Sequence, residues 1–119
     1  MRRRLEVRVG DADEALDRFE AAWNAIDEER ELSPRRLLAL PDLPSLLKAL
    51  SPARLALLSA LREAGPMSVY QLAKELERDY KNVHTDVRQL ADLGIVERVA
   101  DGRVAVPWDS IRAEVTLAA

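Results

Sequence analysis

The chain has 119 residues and no cysteine, and its 21 acidic and 18 basic side chains give a formal net charge of −3. This length corresponds to about one domain, and the absence of cysteine excludes disulfides, zinc–thiolate sites and thiol catalysis. No apolar run approaches about 18 residues, so no transmembrane helix is expected. The basic start MRRRLEVRVG lacks the apolar stretch of a secretory signal. We therefore expect a cytoplasmic protein.

The first predicted element is a strand at residues 4–9, RLEVRV, in which apolar and charged residues alternate. This alternation is typical of a half-buried strand. Its apolar face comprises Leu5, Val7 and Val9.

An acidic amphipathic helix is predicted next, at residues 11–31. Asp11 and Glu14 resemble a capping box, and Phe19 and Trp23 lie on the apolar side at helical spacing. Their helical spacing favours a role in core or dimer contacts over a role in a ligand-binding cage. The segment carries nine acids against two arginines, a net charge of −7. It is either a solvated helix face or a surface for a basic partner.

A short strand and a short helix are predicted between this segment and residue 50. The apolar run at 35–40, RRLLAL, lies between two prolines and favours a strand. Asp42 can then cap the helix LPSLLKAL, whose first turn accommodates Pro44 because the missing N–H would have no partner there.

Three helices and a hairpin follow between residues 51 and 106. Ser51-Pro52 opens the first helix, in which Leu55, Leu58 and Leu61 are predicted to face inward, and Gly65-Pro66 ends it. Ser68 and Gln71 form a capping box for the second helix.

The third helix runs from an Asp79 cap to Gly94, and its predicted apolar stripe contains Val83, Val87 and Leu90. Two short apolar segments then flank Asp101-Gly102, a dipeptide typical of a β-hairpin turn.

The last predicted element is a strand in IRAEVTLA, which alternates like the first. We expect the two terminal strands to pair, either with each other or across a dimer. The predicted partner or dimer contacts are Leu5, Val7, Val9, Phe19, Trp23, Ile111, Val115 and Leu117.

This order of elements predicts an α+β fold built on a winged helix-turn-helix. The predicted parts are an N-terminal strand and acidic helix extension at 1–50, the winged helix-turn-helix at 51–107 and a C-terminal strand at 108–119. The third helix would be the recognition helix, with its N-terminal half in the major groove.

The outward face of this helix carries the residue types that read DNA. Arg88 and Lys81 can donate to guanine, Asn82 can pair with adenine, and Thr85 can contact a thymine methyl or a phosphate. Tyr80 and Arg78 suit phosphates. The predicted DNA contacts are Arg78, Tyr80, Lys81, Asn82, His84, Thr85, Arg88, Arg98 and Arg103, the last two in the hairpin.

Catalysis, metal binding and cofactor binding find little support in the sequence. A polar helix face is by itself most often only solvated, and Asp86 and Asp92 reduce the positive charge of this one. His84 is the single histidine, so neither a catalytic triad nor a histidine metal site is expected. The four glycines form no phosphate-binding loop. We expect no enzyme, cofactor or metal.

The run RDYKNVHTDVRQLADLGIVE, followed by DGR and an alternating terminal strand, resembles a prokaryotic family of MarR-like winged helix-turn-helix DNA-binding proteins. Members of that family are often antitoxins or regulators in TumE/TumA-type toxin–antitoxin pairs. The resemblance extends over nearly the whole chain, although RRLLALPDLP departs from the clean strand expected there.

The resemblance implies a homodimer that binds double-stranded DNA through residues 78–88 and neutralises a small toxin. A transcriptional regulator that is the autoregulating antitoxin of such a pair is thus the leading hypothesis. The alternative is a winged-helix protein-interaction module that does not bind DNA, which the acidic total charge favours.

Overall fold

The computed structural model describes residues 3–10 and 35–115. The α+β class expected from the sequence is confirmed. The predicted helix at 11–31, with Phe19 and Trp23, lies outside the described residues, as does Leu117. In chain order the elements are β1 (Arg4–Val9), β2 (Arg35–Leu40), α1 (Leu43–Ala49), α2 (Pro52–Ala64), α3 (Val69–Leu76), α4 (Tyr80–Asp92), β3 (Glu97–Arg98), a 3-10 turn (Ala100–Gly102), β4 (Val104–Ala105) and β5 (Ser110–Val115).

The contacts within the chain divide it into two units. In the described residues, one unit contains 3–10, 35–47 and 108–115, and the other contains 48–107. The second unit has nearly the limits predicted for the three helices and hairpin. The N-terminal and C-terminal segments, which the sequence analysis treated as separate parts, belong to one unit because their strands share a sheet.

The first unit contains a three-stranded parallel sheet in the order β2-β1-β5. β1 is central: Arg4 is opposite Arg35 on one side and opposite Ser110 on the other. The terminal strands therefore pair with each other within one chain. Parallel neighbours require long connections, so this sheet brings distant parts of the sequence together.

The charged face of β1 is more buried than the alternating sequence predicted. Leu5, Val7 and Val9 are buried, as expected. Glu6, expected on a solvated face, is only 6% exposed, with its Oε1 3.8 Å from Nη1 of Arg4. Arg4 and Arg8 on the same face remain partly exposed. A central parallel strand is commonly buried on both faces, which accounts for the burial of Glu6, so the predicted solvated face was wrong at this position.

The cap of α1 has the predicted geometry. The backbone N–H of Ser45 donates to Oδ1 of Asp42 over 2.8 Å. The Ser45 hydroxyl and this N–H lower the pKa of Asp42, because hydrogen bonds to a carboxylate favour its charged form. The helix includes Pro44 in its first turn and ends at Ala49.

The inward face of α2 differs from the prediction by one position. Leu57, Leu58 and Leu61 are buried, but Leu55 is 45% exposed and the fourth buried residue is Arg54. These four positions follow the i, i+3, i+4, i+7 pattern of one helix face. Leu55 was therefore assigned wrongly, because an arginine was not expected in an inward position.

A tight turn connects α3 to α4. The Ser68–Gln71 capping box that starts α3 is confirmed, with the Gln71 N–H donating to Ser68 Oγ over 3.1 Å. At the helix end, the N–H of Arg78 donates to the Ala73 carbonyl and that of Glu77 to Lys74. This is the Schellman pattern, and Glu77 takes the left-handed conformation (φ 53°) that glycine usually occupies.

The start of α4 and the hairpin agree with the prediction. The N–H of Asn82 donates to the side chain of Asp79 over 3.3 Å. β3 and β4 pair antiparallel around the turn Ala100–Gly102, in which Asp101 and Gly102 have the positive φ angles of 65° and 73° that tight hairpin turns require. The largest fully buried side chains of this unit are Leu57, Leu61, Leu72, Val83, Val87, Leu90, Ile95 and Val104.

We predict that Ser68→Ala lowers the free energy of unfolding by about 1 kcal/mol, because the Gln71 N–H at the start of α3 loses the Ser68 hydroxyl that accepts its hydrogen bond. Ser59→Ala is the matched control, since Ser59 is exposed within α2 and alanine there is neutral or slightly stabilising. Urea unfolding followed by circular dichroism measures both. Equal stability of the two variants would contradict the role of the cap.

Candidate nucleic-acid interface

The exposed face of α4 brings together six of the residues predicted to contact DNA. Val83, Val87 and Leu90 are buried and determine which way the helix faces. The side chains on the opposite side are all exposed. They are Tyr80, Lys81, Asn82, His84, Thr85 and Arg88.

Arg78, also predicted to contact DNA, has a different environment. Its Nη2 donates to Oδ2 of Asp86 over 2.8 Å, and its side chain is only partly exposed. Its other terminal nitrogen, Nη1, is buried without a hydrogen-bond partner. In this arrangement Arg78 supports the start of α4 from within the fold.

Asp86 forms a second ion pair with the buried Arg54 of α2. Nε of Arg54 lies 3.2 Å from Oδ1 of Asp86, and Nη2 of the same guanidinium donates to Oε1 of Gln89. Each oxygen of the Asp86 carboxylate therefore accepts from a different arginine. Asp86 and Gln89 of α4 therefore both bind Arg54 of α2, and the Asp86 carboxylate also binds Arg78 in the α3–α4 turn.

Because of this network, the surface of α4 is more positive than its sequence indicates. Asp86 was expected to reduce the positive charge of the helix surface, but its side chain is only 17% exposed and faces two cations. Its negative charge is compensated inside the unit. The exposed charges on the first three turns of α4 are therefore Lys81 and Arg88.

A row of aromatic rings crosses from α3 to α4 beside these residues. The ring centroids of Tyr70 and Tyr80 are 6.5 Å apart, and those of Tyr80 and His84 are 5.8 Å apart. The ammonium of Lys74 lies 5.2 Å from the centroid of Tyr70, within range of a cation–π interaction. Tyr70 and Lys74 were missed in the sequence analysis, although their i, i+4 spacing on a capped helix was visible there.

The two hairpin arginines are both exposed. Arg98 lies in β3, and Arg103 lies between the 3-10 turn and β4. The N–H of Val99 donates to the Arg103 carbonyl over 2.9 Å, which closes the hairpin at its tip. The backbone at Arg103 is thus held while its side chain reaches solvent.

The predicted partner contacts fall into two groups by burial. Leu5, Val7 and Val9 are buried within the chain, whereas Ile111 and Val115 are partly exposed on β5. In the described ranges, 3–10 and 35–115, no helix is long and apolar enough to cross a membrane. The same ranges contain no group of three or more acidic, histidine or cysteine side chains that could hold a metal ion.

The fold and this surface define an α+β protein with a helix–helix–helix–hairpin unit and an exposed polar helix. Residues 49–113, which are 65 of the 119 residues, match the HVO_A0114 family. The chain belongs to that family. Comparisons with curated proteins and with solved structures find no match.

We predict that Asp86→Ala lowers the free energy of unfolding by about 3 kcal/mol, because it leaves the buried Arg54 without a counter-charge. Asp92→Ala is the matched control: Asp92 is exposed at the C-terminal end of the same helix, where a negative charge is slightly unfavourable. Thermal unfolding should show a clear decrease in Tm for the first variant alone. Equal Tm values would indicate that the ion pairs contribute nothing to stability.

Proposed function

We propose that this protein is a DNA-binding transcriptional regulator whose residues 48–107 act as a winged helix-turn-helix. In this proposal α4 is the recognition helix and the β3–β4 hairpin is the wing. The observation that carries the proposal is the exposed polar face of α4, whose opposite side is held in the core while its acidic residue Asp86 is paired internally.

Base reading is assigned to the middle of this face. Arg88 and Lys81 supply donors for guanine, and Asn82 supplies the paired donor and acceptor that adenine requires. The Thr85 hydroxyl donates to the Lys81 carbonyl over 3.0 Å. This bond orients the side chain, so that its methyl group is available for a thymine.

Phosphate contacts are assigned to the edges of the same surface. The Tyr80 hydroxyl and the Lys74 ammonium are exposed polar groups on adjoining helices. The exposed side chains of Arg98 and Arg103 give the wing two further cations. Contacts of this kind orient a protein on the duplex without reading its sequence.

The first test is binding of the full chain to a labelled fragment of its own upstream region, against scrambled DNA, at low and moderate salt. We expect preferential binding that weakens as salt rises, because phosphate contacts release counterions. The variant K81A/N82A/R88A should lose about a hundredfold in affinity for the preferred fragment, since each lost base contact costs at least about 1 kcal/mol.

The matched control is R36A/K48A, which also removes two positive charges, but from exposed positions outside α4. We expect it to retain the preference for the upstream fragment. If wild-type protein shows no preference at either salt concentration, or if the triple variant binds as well as wild type, the recognition-helix assignment is wrong. The protein-interaction module would then be the better hypothesis.

A further part of the proposal is that this regulator is an antitoxin that autoregulates its own transcription. The support is in the sequence: residues 11–31 carry nine acids against two arginines, a charge suited to a small basic partner. A regulator of this kind would act in the cytoplasm.

Co-expression with the product of the neighbouring open reading frame tests the antitoxin role. We expect a basic, ribonuclease-sized protein that arrests growth alone and forms a stable complex with this chain. Replacing acids of the 11–31 segment with their amides should weaken that complex and make it less sensitive to salt. A neighbour that is neither toxic nor bound would contradict this role and leave the DNA-binding test unaffected.

A further inference from the structure

Among the described strands, β5 forms one edge of the parallel sheet. β5 pairs with β1 on one side, and no described strand pairs with its other side. Four of its six residues are exposed and the other two are partly exposed. An exposed edge presents unpaired N–H and C=O groups, which can pair with a strand of another molecule.

The sequence of β5 is complementary to itself when read in the opposite direction. Residues 111–115 read apolar, cation, apolar, anion, apolar: Ile111, Arg112, Ala113, Glu114 and Val115. In an antiparallel pair centred on Ala113, Arg112 is opposite Glu114 of the partner subunit. The same contact occurs a second time by symmetry, and Ile111 is opposite Val115 of the partner subunit.

Neighbouring registers lack this match. A shift of one residue opposes charged with apolar side chains, because the side-chain period of a strand is two. A shift of two residues brings Arg112 against its own copy, or Glu114 against its own copy, and like charges directly opposite are destabilising. Only the register centred on Ala113 places every apolar residue of 111–115 opposite an apolar residue and every charged residue opposite the other sign.

A contact within the chain extends the same charge pattern. Arg8 of β1 forms an ion pair with Glu114, whose side chain remains 61% exposed. Glu114 can therefore accept from Arg8 on one side and from Arg112 of the partner subunit on the other. Charges would alternate along a row that crosses the junction between the two sheets.

We propose that β5 is a self-association edge that pairs antiparallel with β5 of a second copy of this chain. The pairing joins two three-stranded sheets into one sheet of six strands around a twofold axis. A twofold interface requires a surface complementary to itself, which β5 provides. The opposite edge, β2, does not provide it, because RRLLAL contains two cations and no acid.

The experiment is sedimentation velocity of the full chain over a range of concentrations, without DNA. It is therefore independent of the proposed function. We expect a reversible dimer for the wild type. Arg112→Glu replaces two attractive pairs by two Glu–Glu pairs, and the dissociation constant should rise at least about tenfold.

The matched control is Arg36→Glu, the same charge change at an exposed position on the opposite edge strand. It should leave the dimer unchanged. A stricter test mixes R112E with E114R. Each variant alone should be a monomer, and the mixture should form a heterodimer, because every charged pair is then opposite in sign.

Far-UV circular dichroism checks that each variant is folded. If E114R does not fold, because it also loses the Arg8 contact, the comparison of R112E with R36E decides. A wild-type chain that stays monomeric, or a dimer that R112E leaves intact, overturns the proposal. Equal weakening by R112E and R36E also overturns it, since the effect would then be general charge repulsion.

Discussion

The carboxylate of Asp86, held between Arg54 and Arg78, is the interaction on which the candidate interface depends. It joins α2, the α3–α4 turn and α4 through side chains that are largely withdrawn from water. Ion pairs in such positions gain little net stability over apolar packing, but a conformation that separates the partners is strongly destabilised because it leaves a buried charge uncompensated. The network thus stabilises one rotation of α4 about its axis, with Val83 and Val87 inside and the polar face outside.

The same network explains how an acidic chain can expose two cations, and no acid, on the first three turns of α4. The segment 11–31 contributes −7 to the net charge of the chain, with nine of its acids and two of its cations. The remaining residues carry 16 cations and 12 acids, which is a net charge of +4. Within the helical unit, Asp86 is neutralised by arginines that point inward. Lys81 and Arg88 remain exposed. Total charge is therefore a poor guide to the electrostatics of this surface.

The sheet imposes a different constraint. β1 is the central strand of the described sheet, with a paired strand on each side, and it buries Glu6 as well as its apolar face. β5 is one of the two edge strands of the described sheet, and its side chains alternate in charge and polarity. Edge strands are commonly protected by charges that discourage pairing. In β5 the charges are instead arranged so that an identical strand would complement them.

The local features of this fold were determined by the sequence itself. Helix starts at Asp42, Ser51, Ser68 and Asp79 follow from capping, since each side chain accepts a hydrogen bond from an N–H three residues later. The Asp101-Gly102 turn is equally local. The exposed face of α4 followed from the spacing of its buried valines and leucine.

In contrast, only the tertiary structure placed Arg54 inside and Leu55 outside, because the partner that holds Arg54 is 32 residues away. It also buried Glu6, and it decided that the expected pairing of the terminal strands occurs within one chain, since the periodicity of a segment does not encode which strand lies beside it.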